Sequence, residues 1–529
     1  MRFHYLAAAA ALPLVLSAPV LGDDAHAHEG HLGKVRFTNS CDAKVQPELQ
    51  RAVAMLHSFW YSAGDKAFRQ VLADDPGCAV ATWGIASLLM NNPLAGQGAS
   101  PQAAAAAAAA IEQGRRIGAK TERERDYIEA VAAYYADFAN RGERARQLSR
   151  SQAYEALAKK YPDDDEAQIF AALYVAGTQS QADQTYAAYL KAAGVLEKMF
   201  VKYPDHPGVA HYLIHSYDAP PIARQGLVAA RKYSDIAPDS PHALHMPSHI
   251  FTRVGAWQDS VALNRRSADV ATKDGSLVDA YHAADYMIYA QLQLGRDQAA
   301  RKTYAEFGSA GGARLPQFAG PYAAAAMPAR LALERGDWAA ASQLSMQGSA
   351  FPHVEAITAY ARALGAARKG DVAAAEQDAA RLESLHQALL AANNGYWATE
   401  VEVQRIAVAA WIAQAQGRTD EALRLMRGAA DMEDRNEKHI VTPGRVAPAR
   451  ELLGEMLLEL KRPADALKEF EATLTKEPNR FRAVYGAAKS ASLAGNAAAA
   501  KKYYTQLLKI CERADTPGRP ELDEARKAK

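Results

Sequence analysis

The sequence predicts an all-α fold in which pairs of helices repeat along the chain as a solenoid. Alanine is abundant, and runs of alternating Val, Ile and Thr, which would indicate strands, do not occur. Helix boundaries are marked: in "ASPQAAAAAAAAIEQG", Ser100 is the expected N-cap, Pro101 begins the helix and Gly114 lies near its end. A helix-turn-helix pattern then recurs through most of the 529 residues.

The clearest repeat is the segment "ARELLGEMLLELKRPADALKEFEATLTKEPNR". It carries Gly454, Ala466, Phe470 and Pro478 at spacings that resemble the tetratricopeptide repeat superfamily, whose 34-residue unit is a helix pair. Weaker copies include "LHSFWYSAGDKAFRQVLADDP", "RVGAWQDSVALNRRS" and "AQGRTDEALRLM". The resemblance implies one right-handed tetratricopeptide-repeat α-solenoid over residues 41–513, with a concave groove in which members of the superfamily hold peptides.

The N-terminus predicts export. Residues 1–22 combine one Arg with a short apolar run from Leu6 to Val20, which is typical of a secretory signal peptide cleaved after Gly22, with Ala27 as a second choice. The alternative is an amphipathic first helix of the fold. No second long apolar segment follows, so we expect no membrane span and a periplasmic or secreted protein.

Three further segments are expected to lie outside regular helices. Residues 23–40 are predicted to form a flexible segment that contains histidines. The stretch from Met432 to Pro448 reads as a long polar loop, most simply a solvated one, and residues 514–529 as a charged tail without structure. In an oxidising compartment Cys41 and Cys78 could form a disulfide, which would leave Cys511 unpaired; the sequence does not decide whether they do.

Charge and motifs exclude several classes of function. Lys plus Arg number 61 against 60 Asp plus Glu, so the net charge of +1 provides no general attraction to nucleic acid. The sequence contains no P-loop and no G-x-G-x-x-G after a strand, so no nucleotide cofactor is expected. It also lacks the G-x-S-x-G of serine hydrolases and the H-E-x-x-H of zinc proteases.

Histidines concentrate in the middle of the chain, and the repeat places them in register. Phased on turn glycines Gly255 and Gly295, the middle repeat of three carries histidines at the second, fifth and ninth positions of its first helix. The preceding repeat carries them at the fifth and ninth positions, and the following one has a histidine at the second and an aspartate at the fifth. These spacings keep the side chains on one helix face, which in the superfamily lines the concave groove. The set comprises His211, His215, His242, His245, His249, His282 and Asp285.

A metal site is the first hypothesis for this set. Imidazoles four residues apart on a helix can share one transition metal, and a thiolate-free, His-rich set suits zinc, copper or iron. We expect His211, His215, His245 and His249 to be the principal ligands, with His242, His282 or Asp285 completing or orienting them. Pro247 removes a helical hydrogen bond and is expected to bend the helix beside the site.

Two other interpretations stay open at the level of sequence. The histidines could be polar contacts for a peptide or protein bound in the groove of a periplasmic scaffold without catalytic activity, or they could be structural. A metal with an open coordination position could support hydrolysis or oxidation, but no residue decides which reaction, or whether the protein is an enzyme.

Overall fold

The computed structural model describes residues 31–308, 311–315 and 317–528. These residues form helices, short 3-10 turns and loops, with no strand among them, so the all-α prediction is confirmed. The predicted signal peptide and residues 23–30 lie outside the described residues. Residues 31–40 are not the flexible segment expected, because Phe37 is buried and stacks on Trp83 with 4.9 Å between ring centroids.

The helices follow one another with short connections. In the first half they are α1 Gln46–His57, α2 Tyr61–Asp74, α3 Val80–Leu89, α4 Pro101–Ile117, α5 Glu122–Tyr135, α6 Glu143–Lys160, α7 Asp165–Ala176, α8 Ala187–Lys202, α9 Pro207–Ser216, α10 Leu227–Ile236, α11 Pro241–His245, α12 Pro247–Val254 and α13 Trp257–Asp274. In the second half they are α14 Leu277–Gln293, α15 Asp297–Phe307, α16 Ala319–Leu333, α17 Trp338–Ser342, α18 Pro352–Arg368, α19 Val372–Ala391, α20 Gly395–Ala415, α21 Thr419–Glu433, α22 Ala449–Glu459, α23 Pro463–Lys476, α24 Phe481–Leu493, α25 Ala497–Ile510 and α26 Pro520–Lys527. Ser100 caps α4, as predicted.

Small residues allow neighbouring helices to approach closely, as the repeat pattern predicts. The ring of Phe470 in α23 lies between α22 and α24, where a Cβ on Gly454 would be 2.8 Å from it and a Cβ on Gly486 would be 2.4 Å from it. Each side chain larger than hydrogen would therefore displace the ring. Packing of a large residue between two small ones is what the repeat pattern predicts for α22, α23 and α24, and the array as a whole is an all-α solenoid of helix pairs.

The array coils tightly enough for distant repeats to meet. Nε1 of Trp257, the first residue of α13, donates to the carbonyl oxygen of Asn479 at 2.9 Å. The backbone amide of Gln298 donates to the carboxylate of Asp515 at 2.8 Å. In both pairs more than two hundred residues separate the partners in sequence. The second half of the array therefore packs back against the middle of the chain, across the concave groove that the repeat pattern predicts.

The segment between α21 and α22, residues 434–448, fills part of that groove, contrary to the expected solvated loop. Glu437 accepts hydrogen bonds from Tyr186 at 2.9 Å and from Arg253 at 3.2 Å. Nε2 of His439 donates to the carbonyl oxygen of Ala95 at 3.1 Å. Charged residues of this segment are buried because partners from three other parts of the array satisfy them.

The expected tail also differs. Residues 520–527 form helix α26, whose Leu522 is fully buried, and Nε of Arg519 donates to both carboxylate oxygens of Asp297 at 3.1 Å. The buried ion pair and the apolar contact hold the end of the chain against α15.

Two remaining expectations concern the cysteines and the membrane. Cys41 and Cys78 form a disulfide with 4.8 Å between their Cα atoms, and Cys511 is a buried free thiol. Among the described residues, every helix is too short or too polar to cross a lipid bilayer.

Candidate functional site

Four helices bring the central histidines together. His211 and His215 lie on α9, and His282 lies on α14. The sequence "PHALHMPSHIF" forms two helices, because Ser240 caps α11 and Pro247 interrupts the hydrogen bonding, so that a new helix begins there. The helix is therefore interrupted between His245 and His249, while the backbone of Met246 keeps helical dihedral angles of φ −52° and ψ −40°.

The six histidines form two groups of three. Within each group, one nitrogen per ring can be chosen so that all three lie within 4.8 Å of one another. The first histidine trio contains His211, His215 and His242, and the second histidine trio contains His245, His249 and His282. The structure thus divides the four histidines that were expected to share one ion between two adjacent sites.

In the second trio, Nε2 of His245 lies 3.0 Å from Nε2 of His249. The opposite nitrogen of each ring has a fixed partner. Nδ1 of His245 is 2.7 Å from Oδ1 of Asn264, and Nδ1 of His249 is 2.9 Å from a carboxylate oxygen of Asp218. His282 completes the group, with its ring centroid 4.3 Å from that of His245.

The partner groups determine which nitrogen of each ring carries hydrogen. Asn264 donates its amide group to the carbonyl oxygen of Ser260 at 2.7 Å, so its Oδ1 must accept from Nδ1–H of His245. Asp218 is also an acceptor, since it receives Nε–H of Arg253 at 2.8 Å, and it therefore accepts from Nδ1–H of His249. Both Nε2 atoms consequently present lone pairs to each other.

In the first trio, Nδ1 of His211 donates to the backbone carbonyl of His57 at 2.7 Å, so its Nε2 also has a free lone pair. That Nε2 is 3.1 Å from Nε2 of His215. Nε2 of His242 is buried and has no hydrogen-bond partner among the described residues. In the first trio, the Nε2 atoms of His211 and His215 are therefore at an ordinary hydrogen-bonding distance, whereas Nε2 of His242 has no partner among the described residues.

Burial keeps the imidazoles neutral. It lowers the pKa of His245 well below its ordinary value, and the neighbouring His249 adds to that effect. The pKa of His249 is also lowered by burial, although its hydrogen bond to Asp218 acts in the opposite direction. Burial alone would raise the pKa of Asp218, but Lys438 and Arg253 outweigh it and hold that pKa well below the usual range. The site thus combines neutral imidazoles with an ionised carboxylate.

Asp285, expected to complete or orient a metal site, belongs to neither trio. Nε of Arg330 donates to one of its oxygens at 2.7 Å, and a terminal nitrogen of the same guanidinium lies 3.3 Å from the other. The pair is fully buried, and Arg330 also donates to Oγ1 of Thr442 in the 434–448 segment at 2.9 Å. The carboxylate of Asp285 is therefore paired with the guanidinium of Arg330, and this pair holds the 434–448 segment in place through Thr442.

A cavity of about 120 Å³ adjoins both trios. His215 and His242 border it from the first trio, and His249 and His282 border it from the second. Its other walls come from five parts of the chain, represented by Phe59, Asn91, Asn92, Asp279, Phe318, Ile440 and Val441. The cavity is large enough for a few water molecules or one small ligand.

The groups that fix the histidines, Asn264 and Asp218, were not predicted from the sequence. Asn264 lies on the second helix of its repeat, and Asp218 lies in the turn after α9, so helix periodicity does not identify either. A further buried set, His57, Glu166 and His206, was also missed. It satisfies itself, because Glu166 accepts from His57 at 2.9 Å and from His206 at 3.0 Å, and we regard it as structural.

The similarities of this chain to known proteins are remote. No protein-family model and no curated protein matches the sequence. Among solved structures, the chain is similar to the APC/C hetero-tetramer Cut9-Hcn1, with 12% identity and a TM-score of 0.29 over 92% of this chain and 96% of that one. It is also similar to the human IFIT1 dimer with PPP-AAAA, with 11% identity and a TM-score of 0.33 over 82% and 90% of the two chains. The all-α solenoid class therefore rests on the chain's own helix pairs.

Proposed function

We propose that this protein binds a divalent transition-metal cation through the second histidine trio, His245, His249 and His282, at a site open to the central cavity. The observation that carries the proposal is the 3.0 Å separation between Nε2 of His245 and Nε2 of His249. Because the other nitrogen of each ring donates a hydrogen bond, two lone pairs face each other at that distance. Such an arrangement is repulsive unless a positive charge lies between the two nitrogens.

A proton or a metal cation could supply that charge. A shared proton would place an imidazolium in a buried site, and burial opposes this by lowering the pKa of both rings. A cation at about 2.0–2.1 Å from each nitrogen matches a separation of about 3 Å and uses neutral imidazoles. The metal therefore fits the site better than the proton.

The surroundings also match a metal site. The hydrogen bond from Nδ1 of His249 to Asp218 is the carboxylate–histidine arrangement that orients ligands and increases their basicity. Asn264 performs the same orienting role for His245. An all-imidazole donor set suits zinc, copper or iron. Three protein ligands with a fourth position facing a cavity allow the cation to bind a small ligand, as catalytic rather than structural sites do.

The alternative of a peptide held in the groove has less support at this position. Residues 434–448 already pack beside the trios, where Tyr286 donates to the carbonyl oxygen of Ile440 at 3.0 Å. This segment of the chain itself occupies the place that a bound peptide would take next to the histidines. Only a small ligand in the remaining cavity would reach them.

Export to the periplasm or the medium is part of the proposal. The disulfide between Cys41 and Cys78 supports it, because such bonds persist in oxidising compartments. The mature protein is then expected to begin at Asp23. Mass spectrometry of the secreted chain tests this expectation.

Elemental analysis tests the proposed metal site. Protein purified without a His-tag and without chelator is expected to carry a first-row transition metal. The double variant His245→Ala, His249→Ala should lose the cation of the second trio, whereas His386→Ala, outside the cavity, should retain it. A wild-type protein that binds no zinc, copper or iron, even when these are added, would contradict the proposal.

A further inference from the structure

We propose that the first histidine trio, His211, His215 and His242, binds a second transition-metal cation, so that the two trios form a two-cation centre that takes a small anion in the cavity between them. This inference rests on the proposed function, since it adds a neighbour to the cation of the second trio. It assigns a role to three histidines that the single site does not use.

The nitrogens of the first trio are available as ligands. The hydrogen bond from Nδ1 of His211 to the carbonyl oxygen of His57, at 2.7 Å, leaves Nε2 as a lone-pair donor. Nε2 of His215 is 3.1 Å away, a separation that one cation can span. Nε2 of His242 is buried without a partner among the described residues, and a cation would satisfy it.

Helix α11 contributes one histidine to each trio. His242 and His245 lie three residues apart on α11, and their ring centroids are 6.2 Å apart, yet they belong to different groups. His215 and His249, also from different groups, have ring centroids 5.8 Å apart across the contact between α9 and α12. The two trios are therefore neighbours, and residues of both border one cavity, where a single small ligand could reach two cations.

Charge indicates the class of that ligand. The six imidazoles are neutral ligands, so they do not compensate two divalent cations. The carboxylate of Asp218 accepts hydrogen bonds from Arg253 and His249, and neither trio contains a carboxylate; Asp279 is the acidic residue that borders the cavity beside them. The cavity bordered by His215, His242, His249 and His282 is about 120 Å³, which limits the ligand to a few non-hydrogen atoms. A small anion that bridges both cations matches the size and the charge.

Neutral alternatives explain less of the geometry. A hydrogen bond from Nε2–H of His215 to Nε2 of His211 accounts for their 3.1 Å separation, but it leaves Nε2 of His242 without a partner. Simple packing likewise gives no reason for a buried polar atom to lie among two other imidazoles. Two cations satisfy every lone pair that faces the interior of the two trios.

Titration of the full chain with Cu²⁺ after removal of bound metal tests the inference. The wild-type protein should bind two cations, and either His242→Ala or His245→Ala should reduce this to one. His242 is the best residue to replace in the first trio, because its Nε2 makes no hydrogen bond that the fold would lose. His242→Gln is the second variant, and far-ultraviolet circular dichroism shows that each variant retains its helices.

The outcomes separate the two proposals. If wild type binds one cation and His242→Ala leaves this unchanged while His245→Ala abolishes it, the second cation is refuted and the single site stands. If His245→Ala changes nothing, the proposed function itself fails. In the copper-loaded protein, electron paramagnetic resonance should show magnetic coupling in wild type and an uncoupled signal in His242→Ala. Azide, as the probe anion, should change the wild-type spectrum at lower concentration than that of the variant; equal responses would refute the bridging anion.

Discussion

Nε2 of His245 and Nε2 of His249 face each other at 3.0 Å across the helix break that Pro247 creates. Their tautomers follow from Asn264 and Asp218, which accept from the two Nδ1 atoms. Hydrogen bonds on the far side of each ring therefore direct both Nε2 lone pairs toward each other. Each of these hydrogen bonds can be tested separately.

The first prediction concerns those tautomers. In protein labelled with ¹⁵N-histidine and freed of metal, both rings should carry hydrogen on Nδ1 at neutral pH, because that atom donates to Asn264 in His245 and to Asp218 in His249. Adding zinc should shift the Nε2 resonances of both. Long-range ¹H–¹⁵N spectra make the measurement, with His245→Ala and His249→Ala to assign the signals. Hydrogen on Nε2 of both rings would contradict the assignment.

The second prediction concerns Asp218. In Asp218→Asn the carboxylate that orients His249 loses its charge, while Arg253 and Lys438 lose a compensating partner. Affinity for the metal should fall by about tenfold to a hundredfold, as expected for a group that orients a ligand. Competition with a chelator of known affinity measures the change.

A matched control exists for this variant. Asp378 also accepts a hydrogen bond from an arginine, Arg362, at 3.0 Å. It lies on helix α19, which contributes no residue to either histidine trio. Asp378→Asn should leave the metal affinity unchanged. Equal affinities for wild type and Asp218→Asn would show that the carboxylate does not support the site.

The repeat pattern was sufficient to predict where the histidines lie but not how they group. The register along α9 and α11 follows from the 34-residue period, that along α14 follows from its own turn glycine Gly295, and Pro247 predicts the break. The division into two trios depends on side-chain directions around that break, which periodicity does not contain. Asp285 shares the register of His245, yet Arg330 from the next repeat binds it, and a partner so distant in sequence leaves no local signal.

The burial of residues 434–448 was likewise not predictable from the local sequence. The charge and the Pro-Gly turn of this segment are typical of a solvated loop, and the sequence near it contains no sign of burial. It is buried because the array coils, so that Tyr186, Arg253 and Tyr286 reach it from repeats formed much earlier in the chain. Coiling is a property of many repeats together, and one repeat does not reveal it.

The third prediction concerns the cysteines. Unfolded, unreduced protein should show one reactive thiol, and three after reduction, because Cys41 and Cys78 are joined. The folded protein should show none, since burial raises the pKa of Cys511 to about 12 and shields it. Titration with a thiol reagent measures all three states. Three thiols in the unreduced, unfolded protein would contradict the disulfide.

The same bond should contribute to stability. It closes a loop with a sequence separation of 37 residues, for which the chain-entropy relation gives about 4 kcal/mol. The double variant Cys41→Ser, Cys78→Ser should therefore unfold at lower urea concentration than wild type. Cys511→Ala should cost less, because it removes only one sulfur from a packed site. An unchanged midpoint for the double variant would contradict the expected contribution.

The last prediction concerns the dependence of stability on pH, through a histidine outside both trios. His353 is buried, its ring stacks on Trp397 with centroids 4.2 Å apart, and neither ring nitrogen has a partner among the described residues. Burial, with a smaller effect from His439, lowers the pKa of His353 to about 3, below the 6.5 of the unfolded chain. The unfolded state therefore binds more protons between these values. The stability from neutral His353 is complete above pH 6.5 and is lost as pH falls toward 3, by up to about 1.4 kcal/mol per pH unit.

His353→Phe separates this titration from the packing, because a phenyl ring can keep the stack on Trp397 without a group that gains a proton. Urea unfolding of metal-free protein at pH 6.5 and at pH 4.5 should show a smaller loss of unfolding free energy in the variant than in wild type. Other buried histidines should leave a residual loss in the variant, because burial also lowers the pKa of His439 to about 4 and the pKa values of trio residues such as His245 and His249 below the ordinary value. If wild type and His353→Phe lose the same free energy over this interval, the neutral buried imidazole is not the source of the acid sensitivity.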